Sequence, residues 1–242
     1  MERNNRKNDE IRPLTFRRRY TRQAPGSVLV QMGRTTVLCT CTIEEAVPPF
    51  LAGTGKGWLT AEYGMLPGST STRKVRDRAG RIDGRTVEIQ RLIGRSLRAI
   101  VDLERVGERT LWIDCDVLEA DGGTRTAAIN GAFVALVDAL TSQRKTLGPV
   151  EAIVRDSVAA ISAGLCHGKA LLDLDYEEDR DADVDLNLVM TGSGQFVEIQ
   201  GTGEEATFSR SQLDQLLKLA KAGIDAVTAV QRKVLGNAWP IK

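Results

Sequence analysis

Twice along the chain, several strand-like segments are followed by a long amphipathic segment, and this repetition constrains the fold most strongly. In the first half the strand patterns are Ser27–Met32, Thr35–Ile43, Trp58–Tyr63 and Thr110–Leu118. In the second half they are Val158–Cys166, Ala170–Leu174, Val184–Met190 and Phe196–Gln200. Apolar residues then recur at helical spacing, from Ile129 to Leu140 and from Leu213 to Val234. The pattern predicts a duplicated α+β unit with mixed sheets and packed helices.

Length and composition allow the chain to form one large domain or two half-sized domains. The chain has 242 residues, of which 42% are hydrophobic, enough to bury a full core. No apolar run is long enough to span a membrane, and the basic N-terminus lacks a secretory apolar region, so a cytoplasmic protein is expected. Residues 1–24 are charged and weakly periodic, which predicts a basic arm, flexible or held by a partner, before a core over 25–242. The four cysteines lack metal-binding spacing, and we expect them to be small buried residues.

The net charge of +1 conceals strong segregation of charge. From Met1 to Arg22 there are eight Lys/Arg against three Asp/Glu, and from Arg73 to Arg98 nine against three. From Asp173 to Asp185 there are eight acidic residues against one basic residue. The chain can therefore present a polyanion-binding face together with an acidic site.

The junction between the fourth strand pattern and the helix that follows it suits an anion. Gly122 and Gly123 permit a sharp turn, and the first N–H groups of a helix have no internal partner. Thr124 and Thr126 can cap the helix or donate hydrogen bonds, and Arg125 offers a planar fork to phosphate oxygens. The alternative is an ordinary helix cap with a solvated arginine.

A second helix pattern, from Gly84 to about Asp102, places Arg85 at a helix N-terminus, where an anion would offset its unfavourable position in the helix dipole. Before it, Leu66–Arg81 has no apolar stripe and carries five basic residues: Arg73, Lys74, Arg76, Arg78 and Arg81. Loops of this length inside a domain are usually functional or disordered.

The acidic stretch predicts a site for a hard cation. Asp183, Asp185 and Asn187 alternate, so they should project from one face of a strand, with Asp179 in the turn before it. Clustered carboxylates repel one another unless a cation joins them, and oxygen ligands suit Mg²⁺ or Mn²⁺. A solvated acidic loop is the alternative interpretation.

Other motif matches fail on context. Gly53–Gly57 lacks the glycine spacing and hydroxyl residue of a phosphate-binding loop, and Gly201–Ala206 places two glutamates where a pyrophosphate would bind. His167, the only histidine, has no partner at a known spacing and is interpreted as a structural turn residue. An anion pocket, an acidic metal site and an arginine-rich loop together indicate phosphoryl transfer on a polyanionic substrate.

Long segments of the chain resemble the bacterial ribonuclease PH family, whose relatives include the catalytic halves of polynucleotide phosphorylase and exosome ring subunits. The segments that carry the resemblance are Val37–Thr40, Gly57–Pro67, Gly84–Thr86, Ile89–Arg98, Asp114–Val117, Ala120–Ala127, Met190–Gly194 and Gln200–Phe208. The resemblance implies a duplicated unit similar to ribosomal protein S5 domain 2, assembled as a homohexamer, a trimer of dimers. It also implies a phosphate-dependent 3′-exoribonuclease that trims tRNA precursors and other structured RNA 3′ ends and releases nucleoside diphosphates.

Carried onto this sequence, the resemblance implies three groups of site residues. Inorganic phosphate, the co-substrate, would bind Arg85, Gly123, Thr124 and Arg125. Mg²⁺ or Mn²⁺ would bind Asp179 and Asp185, which are also the implied catalytic residues. RNA would bind Arg73 and Arg76.

The chain departs from the family pattern at two places. The family often has Asp-Gly-Arg where this chain has Asn4-Asn5-Arg6, which leaves the role of the arm open, and Gly68 replaces an arginine that many relatives carry. Two other functions remain as alternatives: a non-catalytic ring subunit that only binds RNA, and a metal-dependent hydrolytic nuclease.

Overall fold

The computed structural model describes residues 3, 6–76, 83–203 and 206–241, which form two sheets. The first sheet contains β1 (Leu14–Arg18), β2 (Gly26–Met32), β3 (Thr35–Glu44), β4 (Trp58–Met65) and β5 (Thr110–Glu119). Its spatial order is β1-β2-β3-β5-β4, and β4 runs parallel to β5 while the other neighbours are antiparallel. The crossover from β4 to β5 carries α1 (Gly84–Arg98) and the short α2 (Leu103–Val106).

The second sheet follows three helices. These are α3 (Thr124–Ser142) and the single turns α4 (Arg144–Leu147) and α5 (Val150–Ile153). The sheet is antiparallel, in the order β7-β6-β8-β9, and contains β6 (Val158–Cys166), β7 (Lys169–Leu172), β8 (Val184–Thr191) and β9 (Phe196–Gly203). The short α6 (Tyr176–Arg180) connects β7 to β8, and the long α7 (Arg210–Leu235) follows β9.

Helix α3 is the centre of the molecule. Every residue from Thr126 to Leu140 is buried, because the helix packs on β2 and β3 of the first sheet and on β6 of the second. Buried Asn130 donates to the Ala160 carbonyl at 2.9 Å and accepts from its N–H at 2.8 Å, so this polar side chain is satisfied. One continuous apolar core therefore includes residues of both halves.

Most predicted elements are confirmed, with differences at their ends. The eight predicted strands are present, and Ser209 and Gln212 form the predicted capping box of α7. The predicted helix that begins at Gly84 ends at Arg98 instead of at about Asp102, because the Asp102 carboxylate caps α2. His167 is an exposed turn residue at φ 50°, as predicted, and the four cysteines are buried free thiols.

The prediction of a flexible or partner-bound arm is wrong for Leu14–Arg18, which forms the edge strand β1 against β2. Apolar Phe16 is buried within it, a contribution that the surrounding charged residues conceal in the sequence. Residues 1, 2, 4 and 5 of the predicted arm lie outside the described residues. Among the helices that the structure describes, none is long and apolar enough to cross a membrane.

Candidate active site

A cleft of about 740 Å³ lies where the two halves of the chain meet. The first half contributes the N-terminal ends of α1 and α3, and the second half contributes α6, β8 and β9. Six residues of the predicted phosphate and metal sites line this cleft: Arg85, Gly123, Thr124, Arg125, Asp179 and Asp185. The structure thus brings the predicted phosphate and metal residues together, while their roles stay predictions.

Two helix N-termini supply the cationic side of the cleft. Asp83 caps α1 by accepting from the Arg85 N–H at 3.3 Å. Gly123 is the N-cap of α3, and Gly122 and Gly123 have φ of 73° and 64°, which favours glycine at both positions. Among the described residues no side chain caps α3, so its first N–H groups can serve an anion in the cleft.

The two threonines do not cap α3, contrary to one of the roles considered for them. Thr126 donates its hydroxyl to the Gly123 carbonyl at 2.8 Å, and Thr124 accepts from the Tyr63 hydroxyl at 2.8 Å. Burial raises the pKa of Tyr63, so the phenol stays protonated and donates at neutral pH. Tyr63, in β4, therefore fixes the orientation of Thr124 in the cleft wall.

Arg125 is positioned by two residues that the sequence analysis missed. Its Nη1 lies 2.7 Å from Gln200 Oε1 and 3.2 Å from Glu88 Oε1, and Gln200 Nε2 donates to the same Glu88 oxygen at 2.9 Å. Glu88 follows Arg85 in α1, and Gln200 lies in β9, so the network joins both halves. Helical spacing places Glu88 on the same face of α1 as Arg85, and this spacing was the one sequence signal that could have identified Glu88.

The acidic side of the cleft comes from α6 and β8. Asp175 and Glu178 form a capping box at the start of α6, which holds the turn that carries Asp179. Asp185 accepts from Asn187 Nδ2 at 3.0 Å on the cleft face of β8. Asp183 was expected on the same face, but it precedes the strand and is exposed outside the cleft lining.

The donor set of this acidic side fits Mg²⁺ or Mn²⁺. Magnesium is commonly bound by one or two carboxylates, with water and substrate phosphate oxygens completing its octahedral shell. Asp179 and Asp185 supply the two carboxylates, and both line the cleft that holds the arginines. Within the described ranges no group of three or more His, Cys, Asp or Glu is placed to hold a metal ion.

The predicted RNA-binding arginines lie outside the cleft. Arg73 and Arg76 are exposed on the loop before α1, and neither lines the cleft. Lys74 ties this loop to the cap of α1, with its Nζ 3.3 Å from Asp83. Arg78 and Arg81 lie outside the described residues.

The second half also places two exposed apolar side chains at the cleft. Tyr176 is 54% exposed and Ile199 is 46% exposed, and both line the cleft beside the acidic residues. Exposed aromatic rings in nucleic-acid clefts offer a stacking surface to unpaired bases. Neither residue was predicted from the sequence.

Known proteins and family models match nearly the whole chain. A family model described as 3′ exoribonuclease family, domain 1, matches residues 10–141, and the corresponding domain 2 model matches residues 156–223. Ribonuclease PH of Bacillus velezensis is 54% identical over 242 residues, 99% of each chain. Ribonuclease PH of Rhodopirellula baltica is 57% identical over 235 residues, 95% of this chain and 96% of its own.

Solved structures with lower identity share the fold. Rice Rrp46 has a TM-score of 0.77 at 19% identity, over 96% of this chain and 98% of its own. A chain of the Archaeoglobus fulgidus exosome with RNA bound to the active site has a TM-score of 0.76 at 22% identity, over 95% of this chain and 91% of its own. These likenesses support the predicted α+β fold.

Proposed function

The chain belongs to the 3′ exoribonuclease family, and we propose that it trims RNA 3′ ends by phosphorolysis. Inorganic phosphate is the co-substrate, nucleoside diphosphates are released, and tRNA precursors and other structured RNA 3′ ends are the substrates. The near full-length ribonuclease PH relatives support this reaction.

One observation carries the proposal. The cleft combines two arginines at helix N-termini with two carboxylates on the opposite half of the chain. Phosphate attack on a phosphodiester brings together two anionic groups, so cationic and N–H donors are needed on one side. An acidic side chain near the leaving oxygen is needed on the other. The cleft offers both.

The first half of the chain binds and orients the attacking phosphate. Arg85 and Arg125 contact its oxygens, and the N–H groups at Gly123 and Thr124 complete the pocket. Glu88 and Gln200 hold Arg125 in place before phosphate arrives, which lowers the cost of ordering the side chain on binding.

The second half of the chain acts at the scissile bond. A phosphate oxygen attacks the phosphorus of the last phosphodiester, the bond to the 3′ oxygen breaks, and that oxygen takes up a proton. The attacking hydrogen phosphate loses a proton as its new bond to phosphorus forms, and we assign to Asp179 the relay of a proton to the departing 3′ oxygen, so the shortened RNA leaves with a free 3′ hydroxyl. Asp179 and Asp185 would also hold Mg²⁺ or Mn²⁺, which when bound neutralises negative charge on the phosphate oxygens.

RNA beyond the last nucleotides requires surface outside the cleft. The exposed Arg73 and Arg76 provide it, because phosphate backbones bind clustered cations with little dependence on sequence. We also propose the homohexameric ring, a trimer of dimers, on the basis of the family resemblance. The four buried free thiols agree with a reducing compartment and with a cytoplasmic location.

A single incubation tests the reaction. A tRNA with a 3′ extension is incubated with the protein and Mg²⁺, with and without inorganic phosphate, and the released nucleotides are separated by chromatography. We expect nucleoside diphosphates only when phosphate is present. Monophosphates under both conditions would show a hydrolytic nuclease, and RNA binding without any product would show a non-catalytic ring subunit.

A further inference from the structure

Arg12, near the N-terminus, contacts segments on both sides of the cleft. Its side chain is 7% exposed and makes a bidentate ion pair with fully buried Asp173, with Nη2 2.7 Å from Oδ1 and Nε 3.0 Å from Oδ2. The Arg12 backbone N–H also donates to Asp173 Oδ2 at 2.7 Å. A bidentate pair that is buried to this degree fixes geometry as well as charge.

The same guanidinium reaches the turn that carries the predicted phosphate site. Arg12 Nη1 donates to the Asp121 carbonyl, and Nη2 lies 3.4 Å from the Gly122 carbonyl oxygen. Thr35 holds the other side of this turn, accepting from the Asp121 N–H at 2.9 Å and donating to the Gly122 carbonyl at 2.6 Å. The turn before Gly123 is therefore held by β3 on one side and by the N-terminal segment, the described residues from Arg3 to Arg18, on the other.

Asp173, the ion-pair partner of Arg12, lies just before α6, the acidic helix. Asp173 has φ of 55°, a conformation that most residues avoid, and only one residue separates it from Asp175, the N-cap of α6. Its N–H donates to the Ser162 carbonyl at 2.7 Å, and the next N–H donates to the Ser162 hydroxyl at 3.0 Å. The ion pair with Arg12 keeps this bend at a fixed distance from the first half.

The two segments that Arg12 joins are in direct contact. A Cβ added to Gly122 would lie 2.6 Å from the Leu174 carbonyl oxygen and 2.6 Å from the Asp175 carbonyl carbon. The glycine turn and the start of α6 therefore pack backbone against backbone. Small movements of either segment would change the distance between the phosphate site and Asp179.

Two further arginines of the N-terminal segment bind the same helix. Arg3 Nε lies 2.6 Å from Glu178 Oε1, and Arg6 Nη2 lies 2.9 Å from Glu178 Oε2. Arg6 Nη1 also donates to the Asp173 carbonyl at 2.8 Å. Three arginines from one segment thus hold the bend and the helix that carry Asp179.

We propose that Arg12 is a positioning residue that sets the spacing between the phosphate-binding turn at Gly122–Gly123 and the acidic helix that carries Asp179. The inference rests on the proposed function, because it concerns the alignment of attacking phosphate and leaving oxygen. Loss of alignment in a bound complex weakens catalysis even when every contacting group remains.

The chain offers a matched control in Arg18. It also lies in the N-terminal segment and also makes a bidentate pair, with Nε 3.0 Å from Asp138 Oδ2. Its Nη1 binds the Val234 carbonyl at 2.8 Å, near the end of α7 and outside the cleft lining. Arg18→Gln therefore removes a comparable ion pair without touching either side of the cleft.

The experiment compares wild type, Arg12→Gln, Arg12→Lys and Arg18→Gln on 3′-extended tRNA at a temperature where circular dichroism shows all of them folded. We expect Arg12→Gln to raise the KM for phosphate and lower kcat, with kcat/KM falling by a factor on the order of a hundred. Arg12→Lys should recover only part of this loss, since an ammonium cannot reproduce the bidentate geometry. Arg18→Gln should lower Tm and leave both constants at wild-type values.

Titration calorimetry with inorganic phosphate alone distinguishes the failure of this inference from the failure of the proposed function. Weaker phosphate binding in the Arg12 variants than in Arg18→Gln supports the positioning role even if no nucleotide is released. Wild-type phosphate affinity and kcat in a folded Arg12→Gln protein would overturn it. If Arg12→Gln does not fold, Arg12→Lys decides by the same two measurements.

Discussion

At the scale of single residues, the cleft is prepared for an anion before one binds. Arg125 is 16% exposed and already has partners on two elements, Glu88 and Gln200. Pre-organised hydrogen-bond donors need less reorganisation free energy in a transition state than mobile donors do. For this reason we assign the phosphate to the side of the cleft that contains Arg125.

Substituting Arg125 with alanine should abolish most phosphorolysis while RNA still binds. We expect kcat/KM for phosphate to fall by about 10²–10³, the cost of removing one pre-organised donor. Binding of 3′-extended tRNA, measured by filter retention, should remain near wild type. Arg210→Ala, an exposed arginine paired with Asp214 on α7, is the control and should leave both values unchanged. Near wild-type turnover in Arg125→Ala would contradict the phosphate assignment.

Tyr176 should bind the end of the RNA. We expect Tyr176→Ala to raise the KM for RNA, because stacking of one base on an aromatic ring is worth about 1–3 kcal/mol, while the KM for phosphate stays constant. Tyr176→Phe keeps the ring and should behave as wild type. Initial rates at varied RNA and at varied phosphate provide both constants. An equal loss in the alanine and phenylalanine variants would exclude stacking.

Among the secondary-structure elements, the site is positioned by short segments that the sequence pattern did not reveal. Helix α6 is five residues long, and its register depends on the capping box and on the arginines that bind Glu178. Arg3, Arg6 and strand β1 lie among the described residues that precede β2, so these described residues are part of the folded body.

The basic loop before α1 should contribute affinity for RNA but not for phosphate. Replacing Arg73 and Arg76 with alanine should weaken tRNA binding and reduce the slope of log Kd against log salt concentration, since fewer counterions are released. The KM for phosphate should remain near its wild-type value. Fluorescence anisotropy with labelled tRNA at several salt concentrations measures the slope. An unchanged slope would remove these residues from the RNA interface.

Ionised Glu178 should make the free energy of unfolding depend on pH under acidic conditions. Burial alone would raise its pKa, but hydrogen bonds from Arg3 and the Asp175 N–H outweigh burial, so the pKa is lowered. Because the pKa is lower in the folded state, Glu178 contributes its full stability above its pKa in the unfolded chain, which is about 4.3. This contribution is lost as the pH falls from there through the pKa of the folded state.

We therefore expect Glu178→Gln to be less stable than wild type at pH 7 and to lose less stability on acidification. Urea unfolding between pH 7 and pH 3 measures both. Glu151→Gln is the control, because Glu151 forms an exposed pair with Arg144 that contributes little. Parallel stability curves for wild type and Glu178→Gln would refute the role of this carboxylate.

At the scale of the whole molecule, the cleft exists only because the two halves pack on one another. Helix α3 begins at the phosphate-binding turn and continues through the shared core between the sheets. The arginines and the carboxylates are therefore held by the same core.

The proposed ring predicts a particular mass in solution. Light scattering after size-exclusion chromatography should give six times the chain mass of 26.4 kDa. A dimer at high salt would agree with a trimer of dimers whose weaker contacts are electrostatic. A monomer at all concentrations would contradict the proposed assembly.

Sequence patterns alone were enough to predict strands β2 to β9, the three long helices and the residue types of the cleft. Periodicity is local, and glycine pairs, helix starts and clustered carboxylates have meaning within a few residues. This is why Arg85, Gly123, Arg125 and Asp185 could be identified before the fold was known. The family resemblance added the reaction.

Which of these residues share one cleft, and which contacts hold them there, depends on how the elements pack in three dimensions. Arg12 and Asp173 are 161 positions apart in the chain, and Arg125 and Gln200 are 75 apart. No local pattern contains such pairs, because they form when separate elements pack into one core. For the same reason β1 was misjudged: its stability comes from pairing with β2 and from burial of Phe16.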